Sequence, residues 1–112
     1  KKGIVNDNNI LSRKTIEYMT SNHLGYNISR ESPLYLPGPG YGFGLGFAVR
    51  ESEGLLSWPG SIGEYFWAGY AGTYFWIDPK EELIVIFMTQ SVTNRMKFRF
   101  LLRNLVYQAI IN

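Results

Sequence analysis

The chain of 112 residues is 46% hydrophobic, 16% aromatic and 18% charged, a composition that predicts one small folded domain and excludes a disordered tail. Its net charge of +2 is too weak to indicate a nucleic-acid partner, and the absence of cysteine excludes disulfides, thiolate nucleophiles and cysteine-based zinc sites. No membrane span is predicted, because the longest apolar run, Leu83 to Met88, is far shorter than the roughly 20 residues required.

The first third of the chain predicts one short helix between irregular segments. Residues 6–9 are Asn-Asp-Asn-Asn, whose side chains compete with regular structure for backbone groups, and they predict a turn. Ser12 is a good N-cap for a helix that runs to about Asn22, with Gly25 available as a left-handed stop. The three prolines within residues 31–40 then predict a linker or lid.

A glycine-rich strand is predicted over Tyr41–Val49. Apolar side chains alternate there with Gly42, Gly44 and Gly46, so one face of the strand is bare. Because glycine weakens a strand, we expect another backbone or a helix to approach this face closely. A nucleotide-binding loop is not indicated, since the glycines step by two and never form a Gly-x-Gly-x-x-Gly register.

The second half of the chain predicts an antiparallel sheet followed by a helix. Residues 64–69 and 73–77 form an aromatic hairpin, and Asp78-Pro79-Lys80-Glu81 has turn chemistry. Leu83–Thr89 is apolar on both faces, as is typical of a strand covered on both sides. Residues 96–111 have helical periodicity, with Arg99 and Arg103 off the apolar stripe. The order predicts an α+β fold: an antiparallel sheet with one helix before it and a C-terminal helix packed on it.

The isolated polar residues do not by themselves indicate a catalytic site or a metal site. We interpret His23, the only histidine, as a residue at a helix end, because no Gly-x-Ser-x-Gly nucleophile accompanies it. The loop and turn carboxylates are expected to be solvated; they are Glu51, Glu53, Glu64, Asp78, Glu81 and Glu82. No spacing typical of a metal site occurs, so no metal and no cofactor are predicted. The aromatic residues of the hairpin are explained by sheet packing alone.

Several longer segments of the sequence resemble segments of one enzyme family, and together they extend over nearly the whole chain. Leu11–Leu24 is similar to the segment that precedes the glycine-rich strand in β-lactamase-family esterases, and Gly40–Val49 is similar to that strand. Gly63–Pro79 and Glu82–Gln90 resemble the family's third motif region and the strand after it. The resemblance implies a partial fold of the β-lactamase, transpeptidase and penicillin-binding-protein type, in which residues 1–112 form the C-terminal part of one domain.

The resemblance also implies a candidate site at the third motif. That motif is Lys-Thr-Gly in class C β-lactamases and often Trp-x-Gly or His-x-Gly in related esterases, and Trp67-Ala68-Gly69 stands here. By this resemblance, Trp67 lines the substrate pocket and Gly69 lets the substrate lie close to the strand. The backbone N–H of Tyr70 supplies one of the two oxyanion-hole donors, which stabilise the charge developing on the carbonyl oxygen.

The family's other two motifs are absent from the sequence. No serine is followed by lysine three positions later, and no tyrosine is followed by asparagine two positions later, although the family takes its nucleophile and proton carriers from these patterns. We therefore expect a catalytically incomplete segment of a serine hydrolase, with the N-terminal catalytic part missing. Its ester or lactam substrate would bind only in the complete enzyme.

Two alternatives remain open from the sequence. The chain could be a stand-alone binding or oligomerisation domain, for example a homo-oligomer that covers the surface left by the absent lobe, or an enzyme that uses unrecognised residues. The Lys1-Lys2 start leads into Asn-rich sequence and does not indicate a signal peptide, so cytoplasmic and periplasmic locations both remain open.

Overall fold

A five-stranded antiparallel sheet, with its strands side by side in chain order, is the largest element of the structure, a computed structural model that describes residues 3–112. A two-stranded hairpin and a short helix precede the sheet, and a longer helix follows it. In chain order the elements are β1 (Ile4–Val5), β2 (Asn8–Asn9), α1 (Arg13–Met19), β3 (Tyr41–Phe43), β4 (Ala48–Arg50), β5 (Tyr65–Ala68), β6 (Tyr74–Asp78), β7 (Leu83–Phe87) and α2 (Arg95–Gln108). This arrangement confirms the predicted α+β class and the aromatic β5–β6 hairpin.

The prediction of a single strand over Tyr41–Val49 is wrong, because the chain reverses in its middle. β3 and β4 form an antiparallel pair in which Phe43 lies opposite Ala48. The Gly44 amide donates a hydrogen bond to the Phe47 carbonyl, at 2.7 Å, and Gly46 has a φ of +96°. Only glycine adopts that left-handed conformation without cost, so the glycine repeat makes a turn where periodicity alone predicts a continuous strand.

The bare glycine face nevertheless has the close neighbour that the sequence predicts. A Cβ at Gly42 would collide with the side chain of Asn22, and a Cβ at Gly44 would collide with the carbonyl oxygen of Met19. The segment after α1 also bonds to β3, since the His23 amide donates to the Phe43 carbonyl at 2.8 Å. These contacts cover the outer edge of the sheet at β3.

The helix α1 begins as predicted and ends earlier. The Ser12 hydroxyl caps it by accepting a hydrogen bond from the Thr15 amide at 3.0 Å. The helix ends at Met19 and not at Asn22, and Gly25 does not have a positive φ. The cause is tertiary, because the Met19 carbonyl accepts a hydrogen bond from the Leu45 amide, at 2.9 Å, and directs the chain onto β3.

The helix α2 packs across one face of the sheet and encloses the hydrophobic core. The core cluster consists of Tyr41, Ala48, Phe66, Tyr74 and Trp76, and Leu102, Val106 and Tyr107 of α2 pack against it. Arg103, which the helical spacing places off the apolar stripe, is nevertheless buried, with only 1% of the residue exposed, whereas Leu101 and Leu105, which the same spacing places on the stripe, are about half exposed.

The strand β7 is at the edge of the sheet, so the expectation that it lies inside the sheet and is covered on both sides is not met within residues 3–112. Val85 and Phe87 pack towards the core. Ile84 and Ile86, on the opposite face, are 65% and 69% exposed. An edge of apolar residues without a charge is a surface on which another strand can pair.

Candidate functional site

A cleft of about 320 Å³ lies between the end of β5 and the first half of α2. All four residues of the sequence-predicted site line it, namely Trp67, Ala68, Gly69 and Tyr70. The remaining wall is formed by Leu36, Pro37, Trp58, Phe66, Tyr74, Arg95, Met96, Arg99 and Arg103. The structure therefore brings the third-motif residues together with the proline-rich segment and with three arginines of α2.

The turn after β5 leaves backbone donors free, and one of them, the Tyr70 amide, belongs to a residue that lines the cleft. The Gly69 amide donates to the Thr73 carbonyl at 2.9 Å, and the Gly72 amide donates to the Gly69 carbonyl at 3.1 Å. The Tyr70 amide, which lies between them, has no hydrogen-bond partner within residues 3–112. A free N–H at the end of a strand is the kind of group that can stabilise a developing oxyanion.

Gly69 also has a structural reason for carrying no side chain. A Cβ at this position would collide with the hydroxyl oxygen of Thr73, so a larger residue would force the Thr73 side chain to move. The adjacent Trp67 is held by an edge-to-face contact with the ring of Phe43, with the ring centroids 5.3 Å apart. The strand end is thus fixed by its neighbours on both sides.

Two arginines of α2 contact the same turn. The Arg99 guanidinium donates from Nη2 to the carbonyl oxygens of Gly69 and Thr73, at 3.3 Å for Thr73. The Arg95 guanidinium lies over the ring of Tyr70, 4.6 Å from its centroid, in a cation–π contact. Through these contacts α2 positions the segment that carries the free amide.

A buried cluster of charges lies under α2. Glu64, immediately before β5, is fully buried and accepts hydrogen bonds from Tyr41 at 2.7 Å, from Tyr107 at 3.0 Å and from Arg103. Arg50 of β4 approaches the same carboxylate at 3.4 Å. Both carboxylate oxygens are satisfied by donors, as a buried charge requires.

A second carboxylate, Asp78, is buried beside this cluster. One of its oxygens accepts from the backbone amides of Lys80 and Glu81, at 3.1 and 3.2 Å. The other lies 2.7 Å from the Tyr107 hydroxyl, so Asp78 and Glu64 share the single proton of that phenol. The expectation of solvated charge at Glu64 and Asp78 is therefore wrong. The spacing of buried residues in the sequence indicates that both carboxylates are buried, because residues two positions apart on a strand lie on the same face. Glu64 precedes the buried Phe66 by two positions, and Asp78 follows the buried Trp76 by two.

The phenols around the cluster are held in their neutral form. Burial raises the pKa of Tyr41 well above its ordinary value, and the neighbouring charge of Glu64 acts in the same direction. Burial also raises the pKa of Tyr107, together with its hydrogen bond to Asp78. These tyrosines are therefore hydrogen-bond donors to the carboxylates and not bases, so the cluster can hold α2 on the sheet.

His23 has the structural role that the sequence predicts. Its ring nitrogen Nε2 lies 2.7 Å from the Tyr18 carbonyl oxygen, and its ring meets the Tyr18 ring edge-on. The histidine is exposed and does not line the cleft. Within the described part of the chain, residues 3–112, no three potential metal ligands cluster together, and no helix is long and apolar enough to cross a bilayer.

Comparison with known proteins places these features in one family. The β-lactamase family model matches residues 6–108. Among solved structures, the chain is similar to EstCE1, a hydrolase with promiscuous acyltransferase activity, at 30% sequence identity and a TM-score of 0.69. The match covers 86% of this chain and 24% of the EstCE1 chain, and no curated protein matches. The chain belongs to the β-lactamase family, the hydrolase family of the serine β-lactamases and the penicillin-binding-protein-like enzymes.

Proposed function

We propose that these residues form one wall of the acyl-binding site in an esterase-like serine hydrolase, and that they are catalytically incomplete by themselves. The observation that carries this proposal is the cleft at the end of β5, where the Tyr70 amide is free and Trp67 and Gly69 line the wall. In acyl transfer, negative charge develops on the substrate carbonyl oxygen, and a preorganised N–H donor lowers the barrier to that step.

The nucleophile and the proton carriers would come from polypeptide outside these residues. The sequence contains neither the Ser-x-x-Lys nor the Tyr-x-Asn pattern, and the match spans only 24% of the EstCE1 chain. In this proposal the 112 residues are one part of a single β-lactamase-like domain. The tryptophan at position 67, in place of the lysine of the β-lactamase motif, favours an ester over a lactam as substrate.

A chimera tests the proposed wall directly. The segment of EstCE1 that aligns with these residues is replaced by them, and the hydrolysis of a p-nitrophenyl ester is measured. Tyr70→Pro, which removes the amide proton, should lower kcat by about 10²- to 10³-fold, as for the loss of an oxyanion-hole donor. Tyr70→Ala keeps the amide and should retain most of the activity. An equal loss in both variants would contradict the assigned role of the amide.

The 112-residue chain alone provides the second half of the test. It should not hydrolyse a p-nitrophenyl short-chain ester or a chromogenic cephalosporin above the rate in buffer. Trp67→Ala and Gly69→Asp serve as paired variants in the same assay. Turnover by the purified chain that both substitutions abolish would show that the segment is complete after all.

A stand-alone interaction domain is the second candidate, and the β7 edge favours it. Exposed Ile84 and Ile86 lie on a strand with a free edge, and antiparallel pairing of two copies at β7 would place these side chains against each other. Sedimentation equilibrium decides between the candidates. A defined dimer that Ile84→Lys dissociates would support the interaction domain, whereas a monomer would exclude it.

A further inference from the structure

The segment between β4 and β5 is irregular and mostly exposed, yet it supplies one wall of the cleft. Residues 51–64 contain no helix or strand, and Leu55 is exposed to solvent. Trp58, from the middle of this segment, is partly buried and lines the cleft. Because a loop has no regular backbone that fixes its side chains, contacts with the rest of the fold must hold Trp58 in place.

The indole of Trp58 is joined to the buried charge cluster through one phenol. Its Nε1 atom donates a hydrogen bond to the Tyr41 hydroxyl oxygen at 3.0 Å, and that hydroxyl donates to the Glu64 carboxylate at 2.7 Å. Chemistry fixes the direction of both bonds, because an indole N–H only donates and an ionised carboxylate only accepts. Tyr41 is fully buried, so this link connects the interior of the fold to a wall of the cleft.

The backbone of Trp58 is held by the same cluster. The Arg50 guanidinium donates to the Trp58 carbonyl oxygen from Nη1 and Nη2, at 3.3 and 3.4 Å. Two residues further on, a Cβ at Gly60 would collide with the guanidinium of Arg50 and the carboxylate of Glu64, so the loop lies directly against this ion pair. The cluster therefore fixes the Trp58 backbone through Arg50 and the Trp58 side chain through Tyr41.

We propose that Tyr41 is a positioning residue, whose hydroxyl holds the Trp58 indole in the orientation that forms the cleft wall. This role rests on the proposed function of the cleft, and it adds a residue that acts on substrate binding without touching the substrate. A wall that is ordered before the substrate arrives loses less conformational entropy on binding. Loss of the hydroxyl should therefore weaken binding of the ester and leave the oxyanion step, which depends on the Tyr70 amide, unchanged.

The indole signals of the 112-residue chain test this link without any catalysis. The sequence has three tryptophans, and ¹⁵N labelling gives each a separate indole N–H signal, so Trp67 and Trp76 are internal controls. In Tyr41→Phe the Trp58 indole proton should shift upfield and exchange with water about tenfold faster, as expected for the loss of one hydrogen bond. An unchanged Trp58 signal, or equal changes in all three signals, would overturn the proposal.

A double-mutant cycle in the EstCE1 chimera tests the effect on the substrate. Tyr41→Phe should raise KM for the p-nitrophenyl ester about five- to tenfold with kcat nearly unchanged. Replacing Trp58 by benzothienylalanine, which keeps the shape of the indole and has sulfur in place of the N–H, removes the same bond from its other end and should have the same effect. The two changes together should raise KM no further than either one alone, because they remove one shared bond. Tyr65→Phe, the matched control, removes a hydroxyl that does not line the cleft and should leave KM unchanged.

The two ends of the bond also separate positioning from stability. Tyr41→Phe takes a donor from the buried Glu64, so its unfolding is followed in urea, whereas the isostere at position 58 leaves Glu64 untouched and decides the test if Tyr41→Phe is too unstable to assay. A fall in kcat in place of a rise in KM, additive effects, or an isostere with the KM of the unsubstituted chimera would overturn the proposal. A chimera without turnover would contradict the proposed function instead, and the indole signals of the chain would then decide on the role of Tyr41.

Discussion

The carboxylate of Glu64 and the guanidinium of Arg103 form an ion pair between the start of β5 and the middle of α2, with side chains 0% and 1% exposed. Moving two charges out of water is costly, and here the cost is offset by donors from Tyr41 and Tyr107 to the carboxylate. The pair therefore fixes where α2 lies on the sheet, and with it the position of the cleft.

Removing one partner of this pair should be strongly destabilising. Glu64→Gln leaves the Arg103 charge buried without its counter-ion, and we expect a loss of about 3–5 kcal/mol in the free energy of unfolding. Urea denaturation measures the change. Glu53→Gln, at an exposed position, is the matched control and should change stability by less than about 0.5 kcal/mol. A similar small effect at Glu64 would mean that the pair does not hold the helix.

The buried phenols predict loss of stability at alkaline pH. Because the pKa values of Tyr41 and Tyr107 are raised in the folded state, the folded chain keeps protons that the unfolded chain releases above about pH 10. Their stabilising contribution is complete below that pH and is lost as the pH rises towards the folded-state pKa values. Unfolding free energy measured from pH 8 to pH 11 should fall over the upper part of this range.

Phenylalanine variants identify the tyrosines that are responsible. Tyr107→Phe should flatten the alkaline part of the stability profile, because the group that titrates is gone. Tyr26→Phe changes a fully exposed residue and should leave the slope as it is in the unsubstituted chain. A slope that is the same in all three proteins would exclude Tyr107 as the source of the pH dependence.

The close approach of the segment after α1 to the β3–β4 hairpin predicts a second stability effect. Gly44→Ala would place a Cβ against the Met19 and Ser21 carbonyl oxygens, and we expect a loss of about 1–3 kcal/mol, as is typical of overpacking. Gly25→Ala is the matched control, because its Cβ would meet only the flexible side chain of Asn27. Thermal unfolding compares the two variants, and equal melting temperatures would argue against the contact.

Sequence patterns predict those elements whose residues interact over short distances. The β5–β6 hairpin, the Asp78 turn and the Ser12 cap all appear in the structure, because each depends on residues within a few positions of one another. The resemblance to the third motif of the family predicts the site residues Trp67–Tyr70, and in the structure these residues line one cleft.

The remaining features were decided by partners that are distant in sequence. Glu64 and Arg103 are 39 positions apart, so the ion pair that allows both charges to be buried could not be inferred from the surroundings of either residue, where charge normally indicates solvent. The glycine repeat is compatible with both a strand and a turn, and the contact of Met19 with Leu45 accompanies the turn. By itself the sequence determined the family, the class of fold and the local elements. Only the tertiary structure decided which charges are buried, because burial depends on which elements pack together.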